Sequence, residues 1–160
     1  MSYRKTENRV SIFSKYDCVA HYDTFDERIA VCVELSTEKG NLIVYGTIMG
    51  IFGNREPSFK EDLVRQLDDI RKLSKSEKNI CVIGDYNLSF SDNYYFTHYG
   101  RDLVNATFRE CGITILTQDQ KECIDHIAIS DEYFKGSAVT IKEWNLEKTL
   151  SDHKGIMIEI

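Results

Sequence analysis

Asn79-Ile80-Cys81-Val82-Ile83-Gly84-Asp85-Tyr86-Asn87 lies in the middle of a 160-residue chain, and its reading decides the rest. Four apolar residues in a row, stopped by a glycine, spell a short buried strand. Just beyond the glycine stand a carboxylate and a carboxamide, two positions apart. In extended backbone, positions i and i+2 share a side, so Asp85 and Asn87 face one ligand while Tyr86 turns away. A rigid strand that delivers polar groups at its C-terminal end is a good base for a site. Aspartate and asparagine also favour turns, and that plainer reading stands until other segments are considered.

Upstream, Pro57 opens the clearest helix, running to about Lys75. Phe59, Leu63, Val64, Leu67, Ile70 and Leu73 form its apolar stripe, opposite Lys60, Asp62, Arg65, Asp69 and Lys72. Before it, Ile29 to Leu35 and Leu42 to Ile48 read as strands joined by a hairpin turn at Glu38-Lys39-Gly40-Asn41. Arg9 to Lys15 reads as a further strand with Val10, Ile12 and Ser14 on one face, and Tyr16 to Thr24 as a turn-rich link. Gly46, Gly50 and Gly53 punctuate a loop, without the lysine and serine that a phosphate-cradling loop requires.

Downstream, Phe90, Tyr94, Tyr95, Phe96 and Tyr99 crowd a polar loop. They either stack on a base or sugar or pack the loop onto its own domain. A second helix spans Gly100 to Glu110 with Leu103, Val104, Phe108 and Cys111 inward, and Gly112 ends it. Strands follow at Ile113–Leu116, Cys123–Ser130, Ala138–Trp144 and Lys154–Ile160. Strand, helix, strand argues for an α/β architecture, and the absence of repeats or low-complexity linkers for one domain over 1–160.

Composition agrees with a globular chain: 42% of residues are hydrophobic and 29% charged. The net charge of −6 attracts no polyanion by itself, so long nucleic acid needs a local basic patch or bound cations. Five scattered cysteines without a C-x-x-C pair read as reduced, mostly buried thiols. No run reaches transmembrane length and no apolar stretch follows the first charges, so cytoplasm is the expected compartment.

Two late segments change the weight of Asp85 and Asn87. Ile124-Asp125-His126-Ile127-Ala128-Ile129 is a strand with ionisable residues at its start, and Ser151-Asp152-His153-Lys154-Gly155 runs into the last strand. With Gly84-Asp85-Tyr86-Asn87 they form an ordered set that resembles the endonuclease/exonuclease/phosphatase superfamily. Arg9–Lys15 and Val44-Tyr45-Gly46-Thr47 are similar to two of its earlier strands. The resemblance implies two packed mixed β-sheets flanked by helices in a four-layer sandwich, and a metal-dependent hydrolase of phosphodiesters or phosphomonoesters.

By that similarity, His153 acts on the scissile phosphate or as general acid–base, and Asp125 accepts its ring proton. Asp85 orients and helps deprotonate the attacking water, Asn87 bonds the water or a phosphate oxygen, and Asp152 helps bind the metal. Hard oxygen ligands favour Mg²⁺ or Mn²⁺. The substrate is a phosphate ester: nucleic acid, lipid head group or sugar phosphate. His126 points away from Asp125 and is structural; His21 and His98 match nothing in the pattern.

The chain departs from the family in two places. The opening strand–helix–strand, with its asparagine and metal-binding glutamate, has no counterpart here, and neither Glu7 nor Glu34 suits the role. Ile48 occupies the place where many members carry a phosphate-contacting histidine. The domain is therefore expected to be N-terminally incomplete, with a weak metal site and an open sheet that favours homo-oligomers. A remnant that binds phosphate ligands or a partner chain without turnover is the alternative.

Overall fold

The computed structural model describes residues 8–50, 57–76 and 79–160. Its main sheet has six strands: β1 (Cys18–Tyr22), β2 (Ala30–Thr37), β3 (Gly40–Ile48), β4 (Asn79–Asp85), β5 (Ile113–Ile115) and β6 (Asp125–Ser130), in the order β1-β2-β3-β4-β6-β5. Only β3 and β4 run parallel, because helix α1 (Pro57–Ser74) carries the chain back between them. Hairpins and longer loops make the remaining pairs antiparallel. The β2–β3 turn is Glu38-Lys39, with Gly40 at φ 100° closing it.

The period of two sorts every strand. Ile43, Tyr45, Ile80, Val82 and Ala128 face α1 and α2 (His98–Glu110), where Phe59, Leu63, Leu67, Ile70, Val104 and Phe108 complete the main core. Leu42, Cys81, Ile127 and Ile129 face the other way, toward a two-stranded antiparallel sheet of β7 (Thr140–Trp144) and β8 (Gly155–Glu159). That sheet answers with Ile156 and Ile158 and leaves Lys142, Trp144 and Met157 open on its outer side. The expected pair of packed sheets is present, and the described residues form three layers: helices, six strands, two strands.

Several local expectations need correction. Residues Arg9 to Lys15 join no ladder, since β1 already pairs with β2 at that edge. They cross the sheet instead: Val10 and Ile12 press on Gly46, where an added Cβ would lie 3.0 Å from Val10 Cγ1. Gly46 is therefore a strand residue inside β3, chosen for close approach. The link Tyr16 to Thr24 contains β1, whose ladder is interrupted between Cys18 and Ala20. Val64 lies off the apolar stripe of α1. Asp69 lies on it, buried and accepting from Phe25 N at 2.7 Å and Tyr45 Oη at 3.2 Å. A short helix α3 (Asp131–Phe134) follows β6 without a sequence signal. Glu7 and Gly53 lie outside the described residues.

Between Tyr16, the β2–β3 turn, the main sheet and β8 lies a cavity of about 470 Å³, lined chiefly by Tyr16, Leu42, Ile83, Ile127, Ile156 and Ile158. It sits on the same face of the sheet as Asp85 and Asp125.

Candidate active site

The site grows from the last residue of β4 and the first of β6. Antiparallel register sets Asp85 directly opposite Asp125, two carboxylates on neighbouring strands. The strand ends there because of Gly84. Its φ is 142°, and an added Cβ would stand 2.0 Å from the Thr47 carbonyl of β3. Only glycine lets β4 come that close and then turn.

Asn87 has left the extended region, with φ 50°, yet still returns to Asp85. Its backbone N–H donates to Asp85 Oδ1 at 2.7 Å, and its Nδ2 donates to Asp85 Oδ2 at 3.2 Å and to the Met49 carbonyl at 2.7 Å. The amide hydrogens are thus turned inward, and Oδ1 is the group left for a ligand. Tyr86 points into the core, where its Oη donates to the Val82 carbonyl at 3.0 Å.

His153 closes the site from the loop before β8. Its Nδ1 donates to Asp125 Oδ2 at 2.8 Å, which leaves Nε2 facing the open side. Asp152, with its side chain 95% exposed, lies with Oδ1 4.0 Å from that Nε2. Asn145, at φ 56°, braces the loop by donating to the carbonyls of Ser151 (3.0 Å) and His153 (2.6 Å). Sequence reading missed this brace; an asparagine's tolerance of positive φ, just after a strand, was the available signal. His126 is buried and structural, bonded to Thr117 Oγ1 at 3.1 Å and the Leu88 carbonyl at 2.9 Å.

The electrostatics follow from burial and like charge. Burial, with Asp125 and Asp152 adding to it and the Asn87 N–H and His153 opposing, pushes the Asp85 carboxyl up to about 6. Burial also holds Asp125 above the usual carboxylate range despite His153. Burial alone would lower His153, but Asp125, with Asp85 and Asp152 behind it, raises the imidazole above its ordinary value.

Ligand atoms of Asp85, Asp125 and His153 all lie within 4.8 Å of one another. Adding Asp152 and the free Asn87 Oδ1 gives a donor set dominated by hard oxygen, the chemistry that Mg²⁺ or Mn²⁺ prefers. The residues present fit such an ion.

The chain is similar in structure to three solved proteins in particular. One is the 3′ phosphatase NExo from Neisseria, bound to product DNA hairpin: TM-score 0.70, 15% identity, 91% of this chain against 72% of that one. Another is the endonuclease domain of a telomere-specific non-LTR retrotransposon: TM-score 0.63, 16% identity, 99% against 81%. A third is an endonuclease/exonuclease/phosphatase family protein from Leptotrichia buccalis: TM-score 0.61, 16% identity, 91% against 61%. No protein-family sequence model and no curated protein sequence matches the chain.

The chain has the endonuclease/exonuclease/phosphatase fold.

Within this fold, four of the five residues expected to act lie together: Asp85, Asn87, Asp125 and His153. Asp152 stands at the rim. Glu34 is buried in β2, accepting from Tyr22 Oη at 2.5 Å and Asn41 Nδ2 at 2.8 Å, and is not part of the Asp85, Asp125 and His153 cluster. His21 and His98 are exposed on β1 and at the start of α2. The aromatic loop is packed onto its own domain in part. Phe90 packs edge-on to His126 and Phe96 lies under Arg101, while Tyr94, Tyr95 and Tyr99 remain open.

Proposed function

We propose that the chain is a metal-dependent phosphoesterase that hydrolyses a phosphodiester or phosphomonoester. The observation that carries this reading is the Asp125–His153 pair, 2.8 Å apart, directly beside the Asp85–Asn87 pair. A carboxyl near 6 is a competent base at neutral pH, so Asp85 takes the proton from the attacking water. Asn87 Oδ1 and the carboxylates orient that water. His153, held by Asp125, keeps Nε2 toward the phosphate and in its charged form binds a non-bridging oxygen. Asp152, with Asp125 beside it, would hold Mg²⁺ or Mn²⁺, which would supply charge neutralisation at the phosphoryl oxygens.

The test is hydrolysis of bis-p-nitrophenyl phosphate during Mg²⁺ or Mn²⁺ titration. His153→Ala should lower kcat about 10²- to 10⁴-fold. Absence of metal-dependent turnover of any phosphoester by the parent would overturn the reading. The exposure of Asp152 favours one other reading, a chain that binds phosphate ligands without turnover. Saturable phosphate or metal binding with no hydrolysis would identify it.

A further inference from the structure

Resting on the phosphoesterase reading above, we propose that Tyr94 and Lys148 form a substrate-reading clamp that selects nucleoside-bearing phosphoesters with an accessible, unpaired base. The tyrosine ring stacks on the base, and the ammonium pairs with the phosphate beside it. Lys148 Nζ donates to Tyr94 Oη at 2.9 Å and stands 4.8 Å from the ring centroid. The contact joins the loop that leaves Asn87 to the loop that enters His153, the two loops that carry site residues.

Both loops are built in advance. Asp92 holds the first by accepting from Tyr94 N (3.0 Å) and Glu122 N (2.7 Å). Arg101 adds a guanidinium 3.7 Å from the Phe96 centroid, bonded to the Asp92 carbonyl. Asn145 holds the second, accepting from Leu150 N at 3.0 Å while Lys148 N donates to the Asn145 carbonyl at 3.0 Å. Lys148 itself sits at φ 52° and reaches Tyr94 with its ammonium. Tyr94 is nonetheless 47% exposed, and an open aromatic held in place binds any base through its π-face. Lys148 has Glu122 and Asp152 within electrostatic reach, which places the ammonium near the Asp152 rim of the site. With a net charge of −6, the fitting ligand is a nucleotide or a short single-stranded end rather than long duplex.

Leu146 and Leu150, exposed on the same loop, make a lipid surface the competing occupant. The experiment compares a dithymidine phosphodiester with its abasic analogue on the same backbone, for wild type, Tyr94→Ala, Tyr94→Phe and Lys148→Met. Tyr94→Ala should raise KM for the base-bearing substrate about tenfold at little changed kcat, and leave the abasic one unaffected. Tyr94→Phe, which keeps the ring but loses the hydroxyl that Lys148 holds, should keep the preference for the base-bearing substrate over the abasic one. Lys148→Met should raise KM for both substrates alike. Equal effects of Tyr94→Ala on both substrates, or none, would overturn the clamp while leaving the phosphoesterase reading intact. Cleavage of phosphatidylcholine vesicles without cleavage of the dinucleotide would also overturn it. If nothing is hydrolysed, fluorescein-labelled oligothymidine binding decides by anisotropy. Affinity lost in Tyr94→Ala supports the clamp, and affinity unchanged or absent from the start rejects it.

Discussion

At the scale of the residue, the site keeps two carboxylates in register at the cost of their ordinary ionisation. The folded value of Asp85, about 6, lies above its unfolded one of 3.8. Its contribution to stability is therefore whole below about pH 4 and is lost as pH rises through 6. Asp85→Asn should remove that penalty. The metal-free variant should match the parent near pH 4 and exceed it by at most about 3 kcal/mol at pH 8, measured by denaturant unfolding. A difference that does not grow with pH would refute the account. Burial holds His126 near 4, and it acts in the opposite sense, its stabilisation falling away as pH drops from about 6.5 toward 4. The Asp85→Asn comparison cancels that background because both proteins retain His126. For catalysis the direction reverses: Asp125→Asn frees the His153 ring and should lower kcat about a hundredfold or more in the bis-p-nitrophenyl phosphate assay.

Elements position these residues through a few contacts that sequence pattern alone does not show. The β3–β4 pair depends on Gly84, whose φ of 142° and approach to the Thr47 carbonyl exclude any side chain. Gly84→Ala should destabilise the protein by about 2 kcal/mol or more and displace Asp85, seen as a lower melting temperature together with lost turnover. Retained stability with lost turnover would mean that the strand relaxes locally and only the site suffers. The segment Val10–Tyr16 shows how a period of two can mislead. Its alternation is real, and Val10 and Ile12 do share a face, but the sheet edge beside β2 is taken by β1. Alternation reports which side chains are buried and is silent on whether the backbone is paired.

Over the whole molecule, the main sheet is closed tightly on its helix side and loosely on the other. Some 470 Å³ stands open among Leu42, Ile83, Ile127, Ile156 and Ile158, next to the face that bears the site. Phe13, Trp144 and Leu150 are largely exposed on the surrounding segments. The native protein should therefore bind an apolar fluorescent dye with its near-UV circular dichroism intact. No dye fluorescence at native circular dichroism would mean the cavity is shut in solution. We propose that association of copies, measured by sedimentation velocity over a concentration series, covers these residues; a concentration-independent monomer would reject that.

The sequence by itself determined which residues were candidates for the site, and the main periodicities. Asp85, Asn87, Asp125 and His153 were legible because a buried strand ending in polar residues is visible in one dimension, and because the motifs fall in a fixed order. The α1 stripe and the paired faces of β3, β4 and β6 were legible for the same reason, since burial repeats with backbone geometry. What the chain could not disclose is what depends on residues far apart in sequence. Asp69 reads as a solvated charge until Tyr45 and Phe25 are placed against it. Asn87 reads as offering its whole carboxamide until the Met49 carbonyl claims the amide hydrogens and leaves only Oδ1. Tyr94 and Lys148 are 54 positions apart and meet only once both loops are folded. The opposition of Asp85 to Asp125, which adds like charge to the burial that raises Asp85, is a matter of strand register. Register is set by the whole sheet and by no single segment, which is why only the tertiary structure decided it.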